Sequence, residues 1–240
     1  GNLIVFKKGR KATGDRLLLS AHMDEVGLMI TRVEDDGTLR FDSVGGIDRR
    51  VLMGKRVYVG PHRIPAVIGS KPIHLTTKEE RRSVPKMTEL YLDMGAENRK
   101  AAEKLVELGD VAVFDPECVE FGSGLLKAKA IDDRVGCAVM LELLKEELPM
   151  DCTFAFSTQE EVGTRGAFAY AFSVHPEIAL VVEGTTASDI PGTPEHMKVC
   201  APGLGPVIPF MDGGTIYDRG LFELLRRLAE ENKIPWQTKH

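Results

Sequence analysis

Four short stretches hold side chains whose types and spacing can do chemistry together. SAHMDE carries His22 and Asp24, AIDD carries Asp132 and Asp133, STQEEVG carries Glu160 and Glu161, and VVEG reaches Glu183. Each cluster falls where an apolar, strand-like run stops or in a loop nearby. In open α/β sheets the carboxyl ends of the strands form the edge where ligands bind, so the four clusters are expected to converge there. Burying so many charges separately is costly, whereas a hard or borderline divalent cation accepts imidazole and carboxylate ligands, and one carboxylate can bridge two ions. The set therefore predicts a metal centre. Two ions about 3.5–4 Å apart polarise a carbonyl and activate water, which leaves one carboxylate free to move the proton. Glu160 beside Glu161 suits that division of labour, because neighbours at a strand end point to opposite faces and meet different surroundings.

Taken singly, each cluster has a plainer reading. A histidine at a strand end is more often a hydrogen-bonded structural residue than a ligand. Asp132 and Asp133 suit a helix N-cap and first-turn charge, Glu160 and Glu161 a solvated turn, and Glu183 the exposed end of a strand. All four plain readings would have to hold at once.

The elements that must position these residues alternate in character. GNLIVFKKGR and RLLLSAHMDE (residues 16–25) read as short strands, the second almost wholly apolar and so central in its sheet. From residue 26 to about residue 60, GLMITRV, the turn EDDGT and LRFDSV form a hairpin signal, and RVYV and PAVIG extend a β-rich module. Residues 75–97 read as a polar loop around the solvated charges of KEERR. NRKAAEKLVEL, residues 98–108, reads as a helix capped by Asn98 and stopped by Gly109. After Asp133, VGCAVMLELLKEEL sets Cys137, Met140, Leu141, Leu144 and Leu148 at helical spacing before Pro149. TFAFS then reads as strand, GAFAYAF as helix, EIALVVEG as strand and LFELLRRLAEEN as helix. The expected fold class is α/β, a mostly parallel sheet flanked by helices, with the β-rich segment inserted.

The 31 basic and 36 acidic residues leave a net charge of −5, with no basic block, which argues against a nucleic-acid partner. No apolar run approaches the roughly 20 residues of a membrane span, and no signal pattern opens the chain. The expectation is a cytoplasmic enzyme or binding protein without a membrane partner. Cys118, Cys137, Cys152 and Cys200 are scattered without a CxxC pair and read as small, mostly buried residues.

SAHMDEVGLMI, AIDDRVGCAVMLELL, STQEEVGTRGA and VVEGTTASDIPG, in that order, closely resemble the motifs of the M42 family of metallo-aminopeptidases, the tetrahedral aminopeptidase group. The likeness extends to VGGIDRRVLMGKRV and KPIHL, where His74 is read as structural. The resemblance implies a dinuclear hydrolase that releases amino-terminal residues from short peptides, using metal-activated water and a glutamate base. Two divalent ions per subunit are implied, zinc or cobalt, with manganese tolerated as well. Carried onto this chain, His22 and Glu183 would bind the first ion and Glu161 the second, with Asp132 bridging both. Asp24 would orient His22, Asp133 would support, and Glu160 would be the general base. The resemblance also implies a zinc-peptidase-like catalytic domain built from residues 1–26 and 116–240. Residues 27–115 would form an inserted β-barrel-like dimerisation or lid domain. Dimers would build a hollow tetrahedral dodecamer that admits peptides. Met211 and Asp212 would lie near the substrate pocket by analogy.

Two departures from the family pattern set up alternatives. Family members carry a further histidine ligand beyond the segment that matches LFELLRRLAEENKIPWQTKH, and a helical segment ahead of the strand that matches GNLIVFKKG. The expectation is a fragment lacking both ends, with His240 no substitute for the missing ligand, and hence weak metal binding or inactivity. His62, His175 and His196 match no ligand motif. One competing function is a non-catalytic assembly subunit. The other is an endoglucanase, a label relatives often carry, with Glu160 and Asp132 as acid and base; the histidine and the other acids are superfluous for that chemistry.

Overall fold

The computed structural model describes residues 1–14 and 16–239, so His240 lies outside the described residues. In chain order the strands are β1 (Leu3–Lys7), β2 (Leu17–His22), β3 (Gly27–Val33), β4 (Leu39–Val44), β5 (Arg56–Val59), β6 (Ile64–Gly69), β7 (Tyr91–Asp93), β8 (Val111–Phe114), β9 (Val119–Phe121), β10 (Leu125–Lys127), β11 (Cys152–Ser157) and β12 (Ile178–Val181). The helices are α1 (Arg99–Ala102), α2 (Ile131–Leu143), α3 (Arg165–Val174) and α4 (Arg219–Glu231). They fall into two compact units, residues 1–184 and 185–240. Among the described residues, no helix is long and apolar enough to cross a membrane.

Within the first unit, a four-stranded sheet runs in the order β1, β11, β2, β12. β2 lies parallel to β11 and β12, whereas β1 joins the edge antiparallel to β11. The mostly parallel expectation therefore holds for three strands and not for the first. LLLSAH and CTFAFS are nearly continuous in burial because helices cover both faces of the central strands. Cys137 and Met140 of α2 pack with Leu19, Ala21, Phe154 and Phe156 on one face. Tyr170 of α3 packs with Leu18 and Ala155 on the other, its hydroxyl 2.7 Å from that of Ser20.

β3, β4, β7, β6, β5 and β8 close into a barrel. Alternate residues such as Leu28 and Ile30, Leu39 and Phe41, and Val57 and Val59 fill its interior, as the two-residue period of a strand requires. Closure leaves the barrel no free strand edge. β7 falls in the segment read as a polar loop. It has only three residues, too few for a visible alternation, yet its central Leu92 and the preceding Leu90 are fully buried and it bridges β4 to β6. The helix expected over 98–108 is shorter than read. Asn98 caps it by accepting the Ala101 N–H at 3.1 Å, but after Ala102 the amides of Leu105 and Val106 both turn to the Ala102 carbonyl. That turn buries Val106 in the barrel core, and Gly109 follows at φ +87°. The β9–β10 hairpin gave no signal because all six residues are exposed. Cys118 is likewise exposed, contrary to the reading of all four cysteines as mostly buried, whereas Cys137 and Cys152 are buried.

Residues 9–14 are held against residues 148–151 by main-chain bonds from Arg10 and Lys11. A methyl group on Gly9 would overlap the Met150 carbonyl, and backbone cannot yield as a side-chain tip can. Gly9→Ala is expected to cost about 1–3 kcal/mol, read as a lowered urea midpoint at unchanged m-value. The Asp151 carboxylate accepts the amides of Gly9, Thr13 and Gly14 at 2.8, 2.9 and 3.1 Å. These bonds hold its pKa below the ordinary aspartate value. A depressed native pKa contributes stability above the unfolded aspartate pKa of about 3.9 and loses it as pH falls through the native value. Wild-type protein should therefore lose stability more steeply than Asp151→Asn from about pH 5 downwards, the two melts converging in acid.

Candidate metal centre

The first cluster is set by β2 and its exit. His22 ends that central strand, is 2% exposed, and is held by its own main chain. Its N–H donates to Asp133 Oδ2 at 3.1 Å, and its carbonyl accepts the Cys137 thiol at 3.1 Å. The His22 backbone is thereby fixed from α2, 111 residues away in sequence.

The second cluster sits where α2 begins. Asp132 and Asp133 have non-helical φ and ψ, and their shared peptide is cis. The plain reading holds for Asp133, since its Oδ1 accepts the Gly136 N–H at 3.1 Å as an N-cap does. Asp132 faces the other way, its Oδ1 3.0 Å from His22 Nε2.

Glu160 and Glu161 do not alternate on a strand end. They lie beyond β11, in the turn that leads to α3, and both of their amides donate to one carboxylate: Glu160 N–H to Asp24 Oδ1 at 3.1 Å and Glu161 N–H to Asp24 Oδ2 at 3.2 Å. Asp24 meets His22 through its backbone carbonyl, 3.1 Å from Nδ1, while its carboxylate stands 3.6 Å away. Its side chain thus orders the two glutamates more directly than it orders the histidine.

Three of the four residues expected as ligands come together. His22, Asp132 and Glu183 each offer a donor atom within 4.8 Å of the others. His22 Nε2 lies 3.4 Å from Glu183 Oε1 and 3.9 Å from Glu160 Oε2. Glu161 stands outside this group, close enough for the charges of Asp132 and His22 to act on it. Asp132 and Glu161 both open onto a cleft of about 810 Å³ whose walls also carry Lys55, Arg56, Lys127 and Lys129.

The electrostatics of this set are unfavourable as it stands. Burial raises the Glu183 pKa, and hydrogen bonding with Asp132 adds to the rise. Burial likewise raises Glu161, with Asp132 contributing. Burial works against a charged His22, but Glu183, Asp132 and Glu160 outweigh it and hold the imidazole pKa above the usual value. The Asp24 carbonyl can only accept, so Nδ1 carries the proton. Nε2 of a neutral ring then directs a lone pair at carboxylates, which is repulsive unless a proton or a cation lies between them. The donor set fits a divalent ion, and the Nδ1 bond to a carbonyl is the arrangement that fixes a ligating imidazole.

Lys129 and Arg134 gave no sequence signal. Lys129 Nζ pairs with Glu25 at 2.5 Å, and Arg134 Nε donates to the Met23 carbonyl at 2.8 Å, so both brace residues 23–25 beside the site. Lys129 is one charge in the stretch before α2 and Arg134 one charge in its first turns, and only the contact itself marks either. Met211 and Asp212 belong to the second unit. There Asp212 organises a turn, accepting the amides of Gly214 and Thr215 and the Tyr217 hydroxyl.

A family model described as M42 glutamyl aminopeptidase matches residues 1–240. A glutamyl aminopeptidase of Lactococcus lactis subsp. cremoris is 31% identical over 248 residues, covering 99% of this chain and 69% of the relative. An aminopeptidase structure from the archaeon Desulfurococcus kamchatkensis matches with a TM-score of 0.93 at 38% identity, over 100% of this chain and 68% of that one. Pyrococcus horikoshii TET1 peptidase, described as able to assemble into a tetrahedron or a large octahedral shell, matches at 0.84 and 36% identity, over 100% and 72%. A Thermotoga maritima structure named an endoglucanase matches at 0.83 and 35%, over 100% and 71%. The protein is thus of a hydrolase class whose named relatives are mostly aminopeptidases. The chain belongs to the M42 glutamyl aminopeptidase family.

Proposed function

We propose that this protein is a dinuclear metal-dependent aminopeptidase that releases amino-terminal residues from short peptides. The observation that carries the reading is the His22 ring, protonated at Nδ1 by its bond to the Asp24 carbonyl and aimed through Nε2 at Asp132 and Glu183. His22 and Glu183 would hold one ion and Glu161 a second, with Asp132 shared. When bound, such ions supply Lewis acidity that polarises a peptide carbonyl and makes water easier to deprotonate. Glu160 takes the proton from the attacking water and returns it to the departing amine. Asp24 keeps that carboxylate and its neighbour at a fixed spacing by holding both amides. Unliganded carboxylate edges facing the cleft suit the free amino group of a peptide.

The endoglucanase alternative needs two carboxylates and has no use for an imidazole between them. The assembly-subunit alternative predicts neither stoichiometric metal nor turnover. Zinc or cobalt would be added to metal-stripped protein with a panel of free and amino-acetylated peptides. Release from free amino ends alone, restored by metal, is the expected result. Metal-independent cleavage of a β-glucan would replace the reading with the glycosidase. Metal at hundredfold excess over its dissociation constant should stabilise the fold by about 2.7 kcal/mol, and a chelator should reverse the gain. By analogy with the shells named for the P. horikoshii relative, we also propose a homo-oligomer, which sedimentation would reveal.

A further inference from the structure

The turn that carries Glu160 and Glu161 is closed from outside by a residue distant in sequence. Asn2 lies just before β1, and its side chain extends the strand's pairing past the end of the β1–β11 ladder, where Leu3 faces Phe156. Its Oδ1 accepts the Thr158 N–H at 3.0 Å and the Thr158 hydroxyl at 3.3 Å, while its Nδ2 donates to the Gly166 carbonyl at 2.9 Å. The Gly166 N–H returns to the Thr158 carbonyl at 3.1 Å. One amide group therefore ties the two ends of the 158–166 turn to each other and to the sheet. The fit leaves no spare room, since a methyl group on Gly166 would overlap both the Thr158 carbonyl and Asn2 Oδ1. Inside the closed turn, Gly163 and Thr164 donate to the Glu160 carbonyl, each at 2.8 Å, and Arg165 donates to Gln159 at 3.0 Å. Gln159 and Thr164 sit at φ +60° and +54°, a left-handed conformation that side chains beyond glycine adopt at a cost.

We infer that Asn2 is a positioning residue whose side chain, through the Thr158–Gly166 clasp, fixes Glu160 and Glu161 relative to His22 and Asp132. Asp24 grips the turn from the β2 side, and Asn2 grips it from the β1 side. The consequence for the reaction rests on the peptidase reading above; the mechanical role does not. A base displaced by an ångström loses rate without losing substrate affinity, so the clasp should act on kcat and leave KM alone.

The test compares Asn2→Ala with Asn2→Asp and with Val5→Ala. Val5 packs on the sheet core from the same strand, so its truncation loosens β1 without touching the clasp. Hydrogen–deuterium exchange over residues 158–166 and peptide-release kinetics are measured for each, at temperatures offset equally from each melting point. Asn2→Ala is expected to speed exchange of the Glu160 and Glu161 amides by about tenfold and to lower kcat by about ten- to a hundredfold, with KM within about twofold. Asn2→Asp, which keeps the acceptor and loses the donor, should fall between it and wild type. Val5→Ala should change neither readout. Equal effects from Asn2→Ala and Val5→Ala, or unchanged exchange in Asn2→Ala, would overturn the inference. If wild-type protein releases no amino acid, the peptidase reading fails and the exchange data alone decide the clasp.

Discussion

Glu160→Gln is expected to lower the release of amino-terminal residues by about 10²–10⁴-fold, the range in which positioned proton transfer contributes to catalysis. The substitution is nearly isosteric and leaves the main chain alone, so the bond from the residue-160 amide to Asp24 at 3.1 Å should persist. What it removes is the ability of a side-chain oxygen, 3.9 Å from His22 Nε2, to take and return a proton. Metal stoichiometry, the metal-dependent rise in melting temperature and KM should therefore stay near wild type while kcat falls. A variant that kept activity within about tenfold would exclude Glu160 as the base and point to its neighbour.

His22→Ala should have an effect of comparable size by a different route. The imidazole is the sole nitrogen donor in a group otherwise made of carboxylates, and it is held from both sides, by the Asp24 carbonyl at the ring and by Asp133 and Cys137 at the backbone. Without it, Asp132 and Glu183 remain near one another with nothing to offset their repulsion except a proton. The stabilisation of about 2.7 kcal/mol expected for the wild type at hundredfold excess metal should vanish, and peptide release should fall to background. Calorimetric titration with zinc alone reads the first effect even where activity is low. A variant that still gained that stabilisation would put the ion elsewhere in the fold.

Much of this architecture was legible in the residue order, and the reason is burial. β2 and β11 are covered on both faces, so their sequences are almost uninterrupted apolar runs. The barrel strands β3 and β5 keep one face inward and show a two-residue alternation. Where burial leaves no period, the reading failed. β7 is too short, β9 and β10 are exposed throughout, and α1 ends because Val106 has to reach the barrel core. The antiparallel direction of β1 is a relation to β11, about 150 residues on, which no local pattern encodes. At the candidate site, the acids and the histidine were visible as residue types at strand exits. Their supports were not, because Asn2, Lys129 and Arg134 act through contacts with residues more than a hundred positions away. The separate duties of the two carboxyl groups in AIDD, one capping a helix and one facing the imidazole, likewise depend on backbone angles.

The arrangement of the site also fixes when it can first exist. His22 ends β2, whereas Glu183 follows it by about 160 residues, a separation that makes their meeting a late event in folding. At translation rates of about 5–20 residues per second, the emerging polypeptide carries His22 for many seconds before its last acidic partner appears. Until Glu183 emerges, the group of His22, Asp132 and Glu183 lacks one member, so under the peptidase reading the choice of metal would fall to the finished sheet.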